Sequence, residues 1–264
     1  MRGRKERLKV EMTAAREKTL WLLDQVPEEF LKKRVHTFYS PIGWHFGHIA
    51  RTEEYWIICQ AVGRPCLDEH YTFLFADLPE NPKDNRVNLP SRSEIVDYLA
   101  FVRRATFTAL DEADLDSADP FLADGYAWEF ALQHECQHQE TICELMQLIQ
   151  KASDPFVIPS LRGISSESAA GRDPSFLGMT KIAAGSFHMG SDDRHGYDNE
   201  KRAHEVRVEA FELAKTPVTA SEWLAFISEG GYSRQELWSA EGWAWRESED
   251  TTMPEYWLEP EDGY

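Results

Sequence analysis

The stretch ALQHECQHQET, residues 131–141, places His134 and His138 four residues apart inside a helix-periodic segment running from about residue 125 to 151. Residues at that spacing leave a helix on one face, so both imidazoles point the same way. Such a helix needs partners to bury its apolar side, and three further helical patterns precede it. Residues 3–25 space Leu8, Met12, Ala15, Leu20 and Leu23 among charges, and Pro27 ends the pattern. Ser40-Pro41, a hydroxyl N-cap followed by proline at the first helical position, opens IGWHFGHIARTEEYWIICQAVG, for which Gly63 is the stop. Residues 64–90 are rich in turn formers and irregular, and Ser91 to about Leu110 gives one more helix. Four helices with one long connection suit a bundle, a fold that builds metal sites from side chains on facing helices.

The texture changes after this bundle. Residues 152–178 are Pro, Gly and Ser rich without periodicity and read as a linker. Beyond them, KIAAGSFHMGS and AHEVRVEAFELAKTPVT alternate as short strands, followed by a helix at 219–229 and the aromatic stretch GGYSRQELWSAEGWAW. The expected organisation is α+β: a bundle with a metal site at 1–151, a linker at 152–178 and a second domain at 179–264. A chain of 264 residues is long enough for two cores. A formal charge of -18 repels phosphate backbones and argues against nucleic acid. No run reaches the roughly 20 apolar residues of a membrane span, and the N-terminus has no apolar signal core. A cytoplasmic location is expected, with small molecules and a second copy of the chain as the remaining partner classes. In that compartment Cys59, Cys66, Cys136 and Cys143 are expected as thiols, the latter two packed opposite His134.

His134 and His138 supply two imidazole ligands, and a third must come from another helix. His48, in WHFGHIARTEEYW, is favoured because Gly47 beside it permits close helix approach; His45, three residues earlier, competes for the role. Three neutral imidazoles leave coordination positions open and suit either Zn(II) or Fe(II). A zinc peptidase would use Glu135 as general base and continue as H-E-x-x-H-x-x-G-x-x-H. Here HQETICELMQLIQ continues as helix instead. Gln137 falls at the rim of the histidine face, where an amide can orient a polar ligand.

The combination of GHIARTEEYW, HECQHQET, GSFHMGS, YDNEKRAHEVRVEAF, KTPVT and GGYSRQELWSAEGWAW, in that order, resembles the ergothioneine sulfoxide synthases, or hercynine oxygenases. The resemblance covers almost the whole chain. It implies an N-terminal DinB-like four-helix bundle followed by part of a formylglycine-generating-enzyme (C-type-lectin-like) domain. It implies an Fe(II) cofactor on His48, His134 and His138, with His45 a non-ligand. It further implies that Gln137 contacts the betaine substrate and that Arg86 holds a thiol's carboxylate. The implied reaction uses dioxygen to join the imidazole of N-alpha-trimethylhistidine (hercynine) to the sulfur of gamma-glutamylcysteine or cysteine, giving a sulfoxide. In the family the second domain continues past the segment matching WAWRE and supplies further substrate contacts and a tyrosine that delivers protons. A chain ending at Tyr264 is therefore expected to lack part of the pocket wall, and no catalytic residue is assigned. The rival expectations are a zinc-dependent thiol S-transferase on the same bundle and an inactive truncated homologue. Formylglycine generation by a cysteine pair is disfavoured, since no cysteine follows Cys143. His188 and His195 are expected as surface or turn residues.

Overall fold

A computed structural model describes residues 2–153, 179–193, 196–255 and 257. The chain divides into two compact units, one helical and one of mixed strands and helices. The helical unit has four main helices: α1 (Arg2–Gln25), α2 (Ile42–Glu53), α4 (Arg92–Glu112) and α5 (Tyr126–Ser153). A short α3 (Glu69–Leu74) lies in the connection read as irregular, N-capped by the Asp68 carboxylate, which accepts from the Tyr71 N–H. Six residues are too few for a periodic signal, so only the cap was there to be read.

The apolar stripe of α1 is Leu8, Met12, Ala15, Leu22 and Leu23, all buried, with Leu20 at its edge. Trp128 on α5 is fully buried and its indole N–H donates to the Thr106 carbonyl of α4. At the start of α4 the Ser91 hydroxyl and the Glu94 carboxylate form a reciprocal capping box. The start of α2 differs from expectation. Pro41 occupies the N-cap with no side-chain bond, because the Ser40 hydroxyl accepts instead from Arg86. Past Glu53 the same helix widens into a π-helical segment, Glu54–Ala61, before Gly63 turns the chain at φ 70°. That turn brings Cys66 back onto Cys59, and the two form a disulfide with Cα atoms 5.6 Å apart. The expectation of four thiols is corrected for this pair. Cys136 and Cys143 are free, and both are exposed rather than packed.

One group of buried charges ties the four main helices together. Arg16 of α1 donates to Glu53 of α2 at 2.7 Å and to Glu135 of α5 at 2.8 Å. Arg103 of α4 donates to both Glu53 oxygens, at 2.7 and 2.9 Å, and to Glu135 at 2.7 Å. Thr19 and Thr106 donate to the remaining carboxylate sites. Two cations face two anions, so the cluster is neutral and its lone pairs are occupied. Burial by itself would raise the Glu53 pKa, but Arg103 and Arg16 outweigh it and hold the carboxyl well below its usual range.

The second unit pairs β1 (Met179–Ile182) with β4 (Phe211–Ala214), and β2 (Gly185–Met189) with β3 (His204–Val208), both antiparallel. The helices α6 (Ala220–Ser228) and α7 (Ala240–Ser248) follow, the first opened by a Thr219–Glu222 capping box. Gly231 packs so closely on the Phe226 ring that a Cβ would lie 2.3 Å from it. Among the described residues no helix is long and apolar enough to cross a membrane. Arg103→Met is expected to lower the unfolding free energy by about 3–5 kcal/mol, because it strands Glu53 and Glu135 in the interior. Urea denaturation followed by circular dichroism measures this, and a loss under 1 kcal/mol would mean the cluster is not mutually compensating.

Candidate metal centre

His48 reaches the α5 pair. Its ring centroid lies 5.0 Å from that of His134 and 4.8 Å from that of His138, which are 4.5 Å from each other. One nitrogen from each imidazole falls within 4.8 Å of the other two, a spacing able to hold a single metal ion. His48 is 9% exposed, while His134 and His138 keep part of their surface open. Of the three rings, His48 is the most enclosed.

The surroundings decide which nitrogen each ring presents. His48 donates Nδ1–H to the Phe75 carbonyl at 2.7 Å, leaving Nε2 for an ion. Phe75 caps the C-terminus of α3, so the helix the sequence did not reveal fixes this ligand. Trp44 stacks on His48 at 4.4 Å with planes 16° apart, and its own N–H is anchored on the Leu74 carbonyl at 3.1 Å. Gly47 matters here because a Cβ would lie 2.1 Å from the Phe75 ring. The close approach anticipated at Gly47 is therefore to the residue that holds His48. On the other side, Nδ1 of His138 meets Nδ1 of His45 at 3.1 Å. His45 is 6% exposed, and its Nε2 has no partner among the described residues. It stands behind His138, where one of the two facing nitrogens must carry the proton and the other accept it.

Burial pushes all four imidazoles down: His48 to about 3 and His138 to about 4, with His134 and His45 well below their ordinary value. Neighbouring imidazoles add to the effect at His48, His134 and His45. Neutral rings are what a metal requires, so burial holds these imidazoles in the coordinating form. The donor set is three imidazoles without a carboxylate, and it fits Fe(II) or Zn(II).

Glu135 cannot act as a peptidase base in this arrangement. It is 1% exposed, with both carboxylate oxygens bound by Arg16, Arg103 and Thr19. Gln137 lies exposed on α5 beside His138. Arg86 is 3% exposed, and its nitrogens donate to the Asn81 carbonyl, the Ser40 hydroxyl and the Asp77 carboxylate. Its guanidinium also lies 4.3 Å from the centre of the Trp44 ring. Arg86 braces Trp44 and directs three of its five N–H groups to partners within the protein. His188 is exposed on β2, as expected, and His195 lies outside the described residues.

Comparison with known proteins locates two family matches. Residues 11–142 match the DinB superfamily, and residues 166–261 match the sulfatase-modifying factor enzyme 1-like domain. Curated relatives named hercynine oxygenase include one from Mycolicibacterium thermoresistibile, 34% identical over 92% of this chain and 53% of its own length. Others come from Mycolicibacterium smegmatis, 32% identical over 96% of this chain, and Mycobacterium tuberculosis, 33% identical over 96%; each is covered to 57% of its own length. The chain spans about half the length of the curated relatives it matches.

An unfolded imidazole protonates near pH 6.5, whereas these folded rings refuse the proton until far lower pH. The metal-free fold is therefore expected to keep its full stability above about pH 7. Below that it should lose up to about 2 kcal/mol per buried imidazole by pH 5. Urea midpoints across this range measure it, and His48→Gln should flatten the slope. Separately, Gly47→Ala is expected to cost about 1–3 kcal/mol of stability through the Phe75 clash. It should also weaken metal binding by roughly tenfold or more through the displaced carbonyl. A metal titration of the refolded variant reads the second effect.

Proposed function

The chain belongs to the DinB superfamily, and on that premise we propose that it is a non-haem Fe(II) oxygenase of ergothioneine biosynthesis. In this reading it acts on N-alpha-trimethylhistidine and a small thiol, gamma-glutamylcysteine or cysteine. Thiol, imidazole C–H and dioxygen give a C–S-linked sulfoxide and one water, so the four electrons taken from the two organic substrates reduce the oxygen. The observation that carries the reading is the convergence of His48, His134 and His138 from two helices, with the only neighbouring glutamate of the motif drawn away into the Arg16–Arg103 cluster. Similarity to the curated hercynine oxygenases supports the substrate assignment.

His48, His134 and His138 would hold the iron, which supplies open positions where thiolate, imidazole and dioxygen can meet. The remaining work belongs to the chain. The Phe75 carbonyl and Trp44 keep the His48 ring in one orientation, and His45 does the same for His138. Burial of His48 keeps water from that ring. Gln137, at the open rim, offers an amide to the betaine substrate.

A zinc-dependent thiol S-transferase shares the same donor set, and metal analysis of anaerobically purified protein separates the two. Iron with one dioxygen consumed per sulfoxide formed supports the oxygenase; tight zinc with oxygen-independent thiol transfer replaces it. His138→Ala is expected to abolish iron retention. Gln137→Ala should retain iron yet bind trimethylhistidine roughly tenfold more weakly by calorimetry, an effect the size of one lost hydrogen bond. Normal binding by the glutamine variant would remove Gln137 from the site.

A further inference from the structure

Arg51 stands one helical turn beyond His48 on α2 and is half-buried. Its Nε–H donates to the Thr72 carbonyl at 3.2 Å. His48 bonds the Phe75 carbonyl, so two side chains three residues apart on α2 dock on two carbonyls three residues apart along α3 and its cap. This matched pair sets the guanidinium beside the three-histidine centre. Tyr55, one turn further along, lies under it with the ring centre 4.5 Å away, which holds the guanidinium plane. The positive charge is felt at both His48 and His134, which it helps to keep unprotonated.

What distinguishes Arg51 is the lack of a direct ion pair: Glu54 attracts it from further off, but that carboxylate already accepts from the Tyr98 hydroxyl and the Leu67 N–H. Arg16, Arg86 and Arg103, the other arginines sunk into this unit, each reach a carboxylate within 2.7 Å. Among the described residues Arg51 reaches none, and its terminal Nη edge has no protein partner. Burial makes the charged form costly, as its lowered pKa reflects. A half-buried guanidinium with a free edge is a ready bidentate site for a carboxylate.

We propose that Arg51 binds the carboxylate of a small molecule handled at the three-histidine centre. The inference rests on the oxygenase reading for the identity of those molecules, which offers two sources: the carboxylate of trimethylhistidine and that of the thiol. The Thr72 contact and the Tyr55 ring hold the guanidinium in place, close enough for its charge to act on His48 and His134. Arg51 is thereby a binding residue, and Arg86 serves the scaffold.

Calorimetry on the iron-loaded chain under anaerobic conditions tests this with two matched pairs. The pairs are trimethylhistidine with its carboxamide, and cysteine with cysteamine, which lacks the carboxylate. In the unaltered protein one pair should show a carboxylate preference of about 10- to 100-fold, the range of a charge-assisted hydrogen-bonded pair. Arg51→Gln should abolish that preference while retaining the metal, and Arg51→Lys should restore part of it. The pair that responds identifies the source. The inference is overturned if Arg51→Gln binds all four molecules as the unaltered protein does, if it weakens acid and neutral partners equally, or if neither pair shows a preference. Failure of the oxygenase reading would look different: the carboxylate preference would persist and depend on Arg51, with no oxygen-dependent sulfoxide formed.

Discussion

The buried pairing of Arg16 and Arg103 with Glu53 and Glu135 sets the terms for everything else in the helical unit. Each of the four main helices contributes one charge, and each charge is satisfied only when all four are turned inward. An isolated charge at that depth would cost several kcal/mol, so a rotation of any helix about its axis breaks more than it can recover. Glu53 shares α2 with His48, and Glu135 is the neighbour of His134. Fixing the two glutamates therefore fixes the faces on which the histidines emerge.

That constraint gives the H-E-x-x-H letters a different meaning from the one they carry in a peptidase. The same glutamate that could serve as a base is here part of the frame, 1% exposed and bound on both oxygens. The histidines on either side of it are the chemical face of α5, and the glutamate is its structural face. Removing a carboxylate from the metal's surroundings leaves an all-imidazole donor set, which suits an ion that must keep positions free for reactants.

Around the three ligands, the supporting contacts come from groups with no motif of their own. A carbonyl at the end of α3 holds His48, Trp44 stacks on it, Arg86 braces Trp44, and His45 backs His138. These contacts act at a distance of one side chain from the centre, the range over which outer partners control ligand orientation and basicity. Arg86, within the irregular connection, directs three donors to Ser40, Asn81 and Asp77, whereas Arg51 donates its Nε–H to the Thr72 carbonyl.

The sequence by itself determined the four main helices, the strand character within 181–191 and 203–219, and the shared face of His134 and His138. Periodicity, caps and i,i+4 spacing are local, and local geometry is what a linear string encodes directly. The choice of His48 over His45 rested on Gly47 and on resemblance, and only the packed structure shows the difference: His48 meets the pair at ring distance while His45 bonds the back of one member. Tertiary structure alone decided the inward turn of Glu135, the burial of Arg86, the Cys59–Cys66 disulfide and the part played by α3. Apart from the disulfide, which closes a loop of seven residues, these depend on how helices and connections meet across tens of residues. That is set by where buried charges find partners, and no spacing along the chain records it.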